Sequence, residues 1–238
     1  MQQNAFCGKL KIFILINLFK KEKKKKNYGA DNISYSHNYI FIHIPKNAGT
    51  SVSNNFNMQT SYHNTVREYI ELIGEKKYSD MFSFAFVRNP FSRFLSLYNY
   101  ARLEESYYHS SINPEKAIYG KHLDYDLLKN ATMEEAANLL KEGKLTHNPP
   151  HIQWLPQSFW LKNKEGELDI KYLGRFEDLN FHLRNLYKII GISHTNKIQH
   201  INNSKKKSVH YSKLIDGTTQ KILEDYYSED LNLFNYSF

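Results

Sequence analysis

Two short, β-rich apolar runs in this chain each stop at a proline and a basic residue and give way to a helical periodicity. The first is Tyr39 to Ile44 (YIFIHI), ended by Pro45 and followed by Lys46, Asn47 and Gly49. The second is Phe82 to Val87 (FSFAFV), followed by Arg88, Asn89 and Pro90, after which Phe91, Phe94, Leu95 and Tyr98 recur at helical spacing. Apolar runs this short suit strands covered on both faces, and proline suits a strand's end. Further along, Val66, Tyr69, Ile70 and Ile73 form a helical face ending at Gly74. Thr132 and Glu135 make a capping box for a helix running to Gly143. Ile170 to Leu173 reads as a strand. Leu179 to Ile190 reads as a helix closed by Gly191, and Thr218 to Tyr227 as another. Buried strands alternating with amphipathic helices predict an α/β architecture with a parallel sheet.

Composition narrows the function classes. The chain has 238 residues, 41% of them hydrophobic and 24% charged, which excludes wholesale disorder. A single cysteine, Cys7, excludes an intrachain disulfide and a cysteine-based zinc site. The net charge of +8 is local: residues 1–26 carry eight lysines against Glu22, and only +1 remains for the rest. A nearly neutral body argues against a nucleic-acid partner. No apolar run approaches the ~20 residues of a membrane span. Ile12 to Phe19 is apolar, but most of its charge follows it, the reverse of a secretory signal. Two readings fit: a solvated arm, or a peripheral membrane contact through residues 9–26, lysines on anionic headgroups. The expected organisation is a basic arm over residues 1–38 and one domain over residues 39–238. The expected location is cytoplasmic, at the inner face of a membrane on the second reading.

The chemistry concentrates in the two turns. In FIHIPKNAGTS, Phe41 to Ser51, a strand runs into a turn with a lysine and a glycine, and Thr50 and Ser51 stand where a helix starts. Free N–H groups at a helix start attract an anion, Gly49 allows close backbone approach, and Lys46 adds a point charge. The Walker spacing GxxxxGK[ST] is absent, because the lysine precedes the glycine. In FAFVRNPFSRFLSLY, Phe84 to Tyr98, Arg88 lies at the strand end, Arg93 near the helix start, and Ser96 two turns on. An arginine fork with a serine hydroxyl suits a second, separate phosphate. Two anion sites at neighbouring strand ends suit a nucleotide phosphorylated at both its 5′ and 3′ positions.

PKNAGTS followed by RNPFSRFLS resembles the paired motifs of the Golgi-type carbohydrate sulfotransferases and their bacterial relatives, kin of the chondroitin and heparan sulfotransferases. His63-Asn64-Thr65, Pro156-Gln157, Gly174-Arg175-Phe176-Glu177 and Asn203-Ser204 before Tyr211 are similar to later landmarks of that family, in order. The resemblance implies a P-loop-like, three-layer fold, its central parallel sheet flanked by helices, and the donor 3′-phosphoadenosine-5′-phosphosulfate. It implies Lys46, with Asn47, Gly49, Thr50 and Ser51, at the 5′-phosphosulfate, and Arg88 and Ser96 at the 3′-phosphate. It also implies weaker donor contacts from Ser204 and Lys207, for which a solvated lysine loop is the other reading. The acceptor would be a hydroxyl of a glycan. With no acidic cluster spaced for magnesium, no metal is expected.

A base must take the acceptor's proton, and histidine has a suitable pKa. His63, ahead of the Thr65 helix, occupies a place similar to that of a catalytic histidine in the uronyl-sulfotransferase branch; a helix-flanking role is its other reading. His43 reads as a packing residue within the first strand. His147 and His151, around Pro149-Pro150, are candidates for the sugar side, with Gln157 and Glu177. Glu177 reads equally as a helix cap, and Trp154 and Trp160 as core or as sugar-stacking platforms. Two other functions compete: a P-loop-like small-molecule kinase, disfavoured by the missing GK[ST], and a non-enzymatic lysine-rich membrane or polyanion binder.

Overall fold

The computed structural model describes residues 32–58, 63–106, 120–146, 152–192 and 210–238. Its sheet has four strands in the order β1 (Ile33–Ser34), β2 (Tyr39–Ile42), β3 (Phe82–Val87) and β4 (Tyr172–Arg175). β1 is antiparallel to β2; β2 with β3, and β3 with β4, are parallel. The mixed, mostly parallel sheet flanked by helices is the expected α/β class. The sheet starts ahead of Tyr39, with β1, a strand too short to carry a pattern. β4 ends at Arg175 rather than Leu173.

Alternation along the strands decides the layers. Ile40, Ile42, Ala85 and Val87 face one side, against α2 (Val66–Ile73), α3 (Glu75–Asp80) and α7 (Ser158–Leu161). Tyr39, Phe41, Phe84 and Phe86 face the other, against α1 (Gly49–Phe56) and α8 (Leu179–Ile190). The third cluster joins α4 (Pro90–Ala101) to α5 (Tyr125–Leu128), α6 (Met133–Lys141) and α9 (Gly217–Tyr226), and includes Trp154. α10 (Ser228–Leu233) closes the described chain near α7.

Local chemistry sets the helix ends. Thr65 and Thr132 each accept from the backbone N–H three residues on, and the glutamate there returns the bond, completing two capping boxes. Gly191 ends α8 in the left-handed conformation. Both tryptophans are fully buried, so they are core. Among the described residues no helix is long and apolar enough to cross a membrane.

Candidate active site

Parallel pairing of β2 and β3, with Ile42 opposite Ala85, brings their carboxyl ends side by side, and both turns emerge there. After β2 the backbone is forced: Lys46 and Ala48, neither of them glycine, both have φ 69°. Ala48 is the N-cap residue of α1 and has no side chain able to cap it. The first N–H groups of α1 are thus left without a side-chain partner at a positive dipole end, the arrangement an anion completes. Ser51 is buried and Thr50 exposed at this start. Lys46 Nζ stands over the Tyr100 ring, 4.0 Å from its centroid. Burial, with Arg88 nearby, lowers its pKa to about 8.

Gly49 has a reason the sequence did not disclose. A Cβ there would lie 1.7 Å from His43 Nε2, so glycine makes room for that imidazole. His43 is one residue past the end of β2, not within it. Its ring stacks on Phe41 at 5.4 Å and meets the His63 ring at 4.2 Å, which agrees with a packing role.

The turn after β3 follows another plan. Asn89 caps α4 with its own side chain, accepting from the N–H of Phe91 at 3.0 Å, and Pro90 occupies the first turn. Arg88 Nε donates to Ser92 Oγ at 2.9 Å, Nη1 donates to the Lys46 carbonyl at 3.2 Å, and the guanidinium lies 4.2 Å from the centroid of Phe176. Burial lowers its pKa to about 10, so it stays charged at neutral pH. Ser96 follows Ser92 by one turn and precedes Tyr100 by one, so the three share a face of α4. Arg93 does not join a fork with Arg88. Almost fully buried, it donates to the carbonyls of Pro45, Leu155 and Gln153, bracing the first turn from behind.

Gln157 is where the two turns are joined. Its Oε1 accepts from Asn47 Nδ2 at 2.6 Å and from the Arg88 N–H at 2.8 Å; its Nε2 donates to the Arg88 carbonyl at 2.8 Å and to Asp230 at 3.2 Å. Asn47 Nδ2 also donates to the Phe86 carbonyl. Gln157 is wholly buried, so its amide holds the site together rather than facing an acceptor. Buried Asp230 orients it, accepting in addition from the backbone N–H groups of Gln157 and Ser158. Asn47 Oδ1, itself buried, has no hydrogen-bond partner among the described residues.

His63 is held from two sides. Its Nδ1 lies 2.9 Å from the His43 carbonyl, and its own carbonyl accepts from Trp160 Nε1 at 3.1 Å. A carbonyl can only accept, so the proton sits on Nδ1 and Nε2 carries the lone pair. Burial pulls the His63 pKa below the ordinary imidazole value; the His43 carbonyl opposes this, while Arg93 and Lys46 add to it. The ring is neutral at pH 7. Glu177 is exposed: it accepts from the Asn89 N–H and from the Tyr236 hydroxyl, both at 2.8 Å. It thus ties the turn after β4 to the start of α4.

The structure brings Lys46, Asn47, Gly49, Ser51, Arg88 and Gln157 together, with His63 beside His43. Ser204, Lys207, His147, His151 and the lysine arm of residues 1–26 lie outside the described residues. Sequence reasoning gave no site role to Ser92, Tyr100 or Phe176, although Phe176 stands in the Gly174 to Glu177 landmark. The i, i+4, i+8 spacing of Ser92, Ser96 and Tyr100 was the available signal. No curated protein and no solved structure matches the chain. The sulfotransferase family model matches residues 32–237, nearly all of it and including every element above. The chain belongs to the sulfotransferase family.

Proposed function

We propose that this sulfotransferase moves the sulfuryl group of 3′-phosphoadenosine-5′-phosphosulfate to a hydroxyl of a carbohydrate acceptor, with His63 as general base. The observation that carries the reading is the pair of separate cationic turns on adjacent parallel strand ends: Lys46 at an uncapped helix start, Arg88 at a capped one. A donor with one phosphate needs only the first.

The chain's own groups account for the steps. The N–H groups at the start of α1, with Lys46, bind the 5′-phosphosulfate and stabilise the negative charge that grows on the departing phosphate oxygen. Arg88, with Ser92 and Ser96 on the adjoining face of α4, receives the 3′-phosphate and fixes the nucleotide's orientation. The neutral His63 accepts the acceptor's hydroxyl proton at Nε2 while Nδ1–H stays bonded to the His43 carbonyl. The acceptor oxygen bonds to sulfur as the bond from sulfur to the bridging oxygen breaks. A glycan acceptor rests on the motif resemblance.

The test is a transfer assay with labelled donor sulfate against a panel of glycans, beside calorimetry of the spent nucleotide. Adenosine 3′,5′-bisphosphate should bind at least about tenfold tighter than adenosine 5′-monophosphate, since a charge-assisted hydrogen bond is worth about 1.5–3 kcal/mol. Equal affinities would remove the two-site reading.

A further inference from the structure

The two cations of the site share a feature that neither motif contains: each lies on an aromatic face. Lys46 Nζ is 4.0 Å from the centroid of Tyr100, in the last turn of α4; the Arg88 guanidinium carbon is 4.2 Å from that of Phe176, in the turn after β4. Two neighbouring like charges deprived of water raise each other's energy, and a carboxylate set between them is the common remedy. Glu177, the acidic group beside Arg88, instead has its oxygens on the Asn89 N–H and the Tyr236 hydroxyl. A carboxylate against either cation would have to be displaced by an incoming phosphate. A ring face stabilises a cation through its quadrupole and presents no charge to displace.

We propose that Tyr100 and Phe176 are positioning residues, one for each anion site: Tyr100 holds Lys46 where the 5′-phosphosulfate binds, and Phe176 holds Arg88 where the 3′-phosphate binds. Both rings are themselves fixed. The Tyr100 ring meets buried His122 edge-on, 6.3 Å between centroids. Phe176 packs against the buried cluster that lies between the sheet, α1 and α8. The assignment rests on the two-phosphate reading of the site.

Calorimetry of the full chain with adenosine 3′,5′-bisphosphate and adenosine 5′-monophosphate separates the two roles. Tyr100→Leu should weaken both nucleotides by one common factor, about three- to thirty-fold, leaving their ratio intact. Phe176→Leu should weaken only the bisphosphate, by a similar factor, so the ratio shrinks. Tyr100→Phe and Phe176→Tyr, which keep the ring faces, should restore wild-type behaviour. A merely structural role would shift both nucleotides together in both leucine variants. That pattern, or leucine variants that bind like wild type, overturns the assignment. A wild-type protein that does not distinguish the two nucleotides overturns the two-phosphate reading beneath it, whatever the variants do.

Discussion

The turn after β2 and the turn after β3 leave neighbouring parallel strands and reach the same place, yet one leaves its helix start open and the other closes it. Ala48 stands at the N-cap of α1 in the left-handed region, where its methyl group satisfies no N–H. Asn89 stands at the N-cap of α4 and satisfies the first N–H groups itself. The first turn therefore offers backbone and one lysine; the second offers side chains alone, Arg88 with Ser92 and Ser96 beside it. The open turn is also the strained one. Two non-glycine residues at φ 69° cost roughly 1–2 kcal/mol each. That conformation persists because its surroundings over-determine it: Arg88 and Arg93 bind the carbonyls of Lys46 and Pro45, and Gln157 holds Asn47. The capped turn is the brace and the open turn the braced part.

The contrast is sharpest if chemistry belongs to the open side. His63→Ala should lower kcat by roughly 10²–10⁴ while nucleotide affinity stays near wild type, because the base touches the acceptor's proton and not the donor. The acidic limb of kcat/KM should lie below the ordinary imidazole value, since burial depresses the His63 pKa, and should vanish in the variant. Near-normal turnover in a folded His63→Ala protein would return that histidine to flanking α2. Next in size is Arg88→Ala, which should erase most of the bisphosphate preference, about tenfold or more, with a smaller loss of monophosphate binding because the Lys46 carbonyl loses one of its braces. A loss shared equally by both nucleotides would mean the two turns form one site.

A smaller effect separates the turns by pH. The open turn binds through a lysine whose pKa is lowered to about 8, so its charge is present below that value and lost as pH rises through it. Arg88, lowered only to about 10, keeps its charge over the same interval. Monophosphate affinity should therefore fall by up to about tenfold between pH 7 and 9, while the ratio of bisphosphate to monophosphate holds constant. Lys46→Arg should move the fall upward. A ratio that changes while monophosphate affinity does not would invert the assignment of the two cations.

How much of this was legible follows from what each feature depends on. β2, β3, α2 and α8 announce themselves through local periodicity and end signals, because burial on both strand faces and capping by Thr65 and Gly191 are written in adjacent residues. Lys46 and Arg88 were visible for the same reason: each follows its own strand. What could not be read are the contacts made across the chain. Gln157 meets Asn47 over 110 positions of sequence, and Phe176 reaches Arg88 only because β4 pairs with β3. Gly49 was legible as a point of close approach, but His43 as the group approaching it was not, since that depends on where the chain leaves β2. The short helices α3, α7 and α10 carry too few turns to show a period, and tertiary packing decides them.

The smallest expected effect tests whether the two helix starts differ in kind. Asn89→Ala removes the acceptor that satisfies the N–H of Phe91, and should cost about 1 kcal/mol of stability in a denaturant titration. Asn89→Asp keeps that acceptor and adds a charge the dipole favours, so most of the cap survives. It loses the two Nδ2 donations, to the Tyr211 hydroxyl and the Ser237 carbonyl, at about 0.5–1.5 kcal/mol each, and sets a carboxylate next to Arg88, so the bisphosphate preference should weaken as well. The matching change on the other side is Ala48→Asp. A capping side chain reaches the N2 or N3 N–H from extended backbone, whereas residue 48 is left-handed and its methyl group is buried, so the new carboxylate gains no cap and should lower stability by about 1 kcal/mol or more. Both nucleotides should then bind more weakly, because a fixed negative charge stands where the 5′-phosphate belongs. If Ala48→Asp stabilised the protein as an ordinary cap does, or Asn89→Ala cost nothing, the open and closed starts would be equivalent and the division of labour between the two turns would fail.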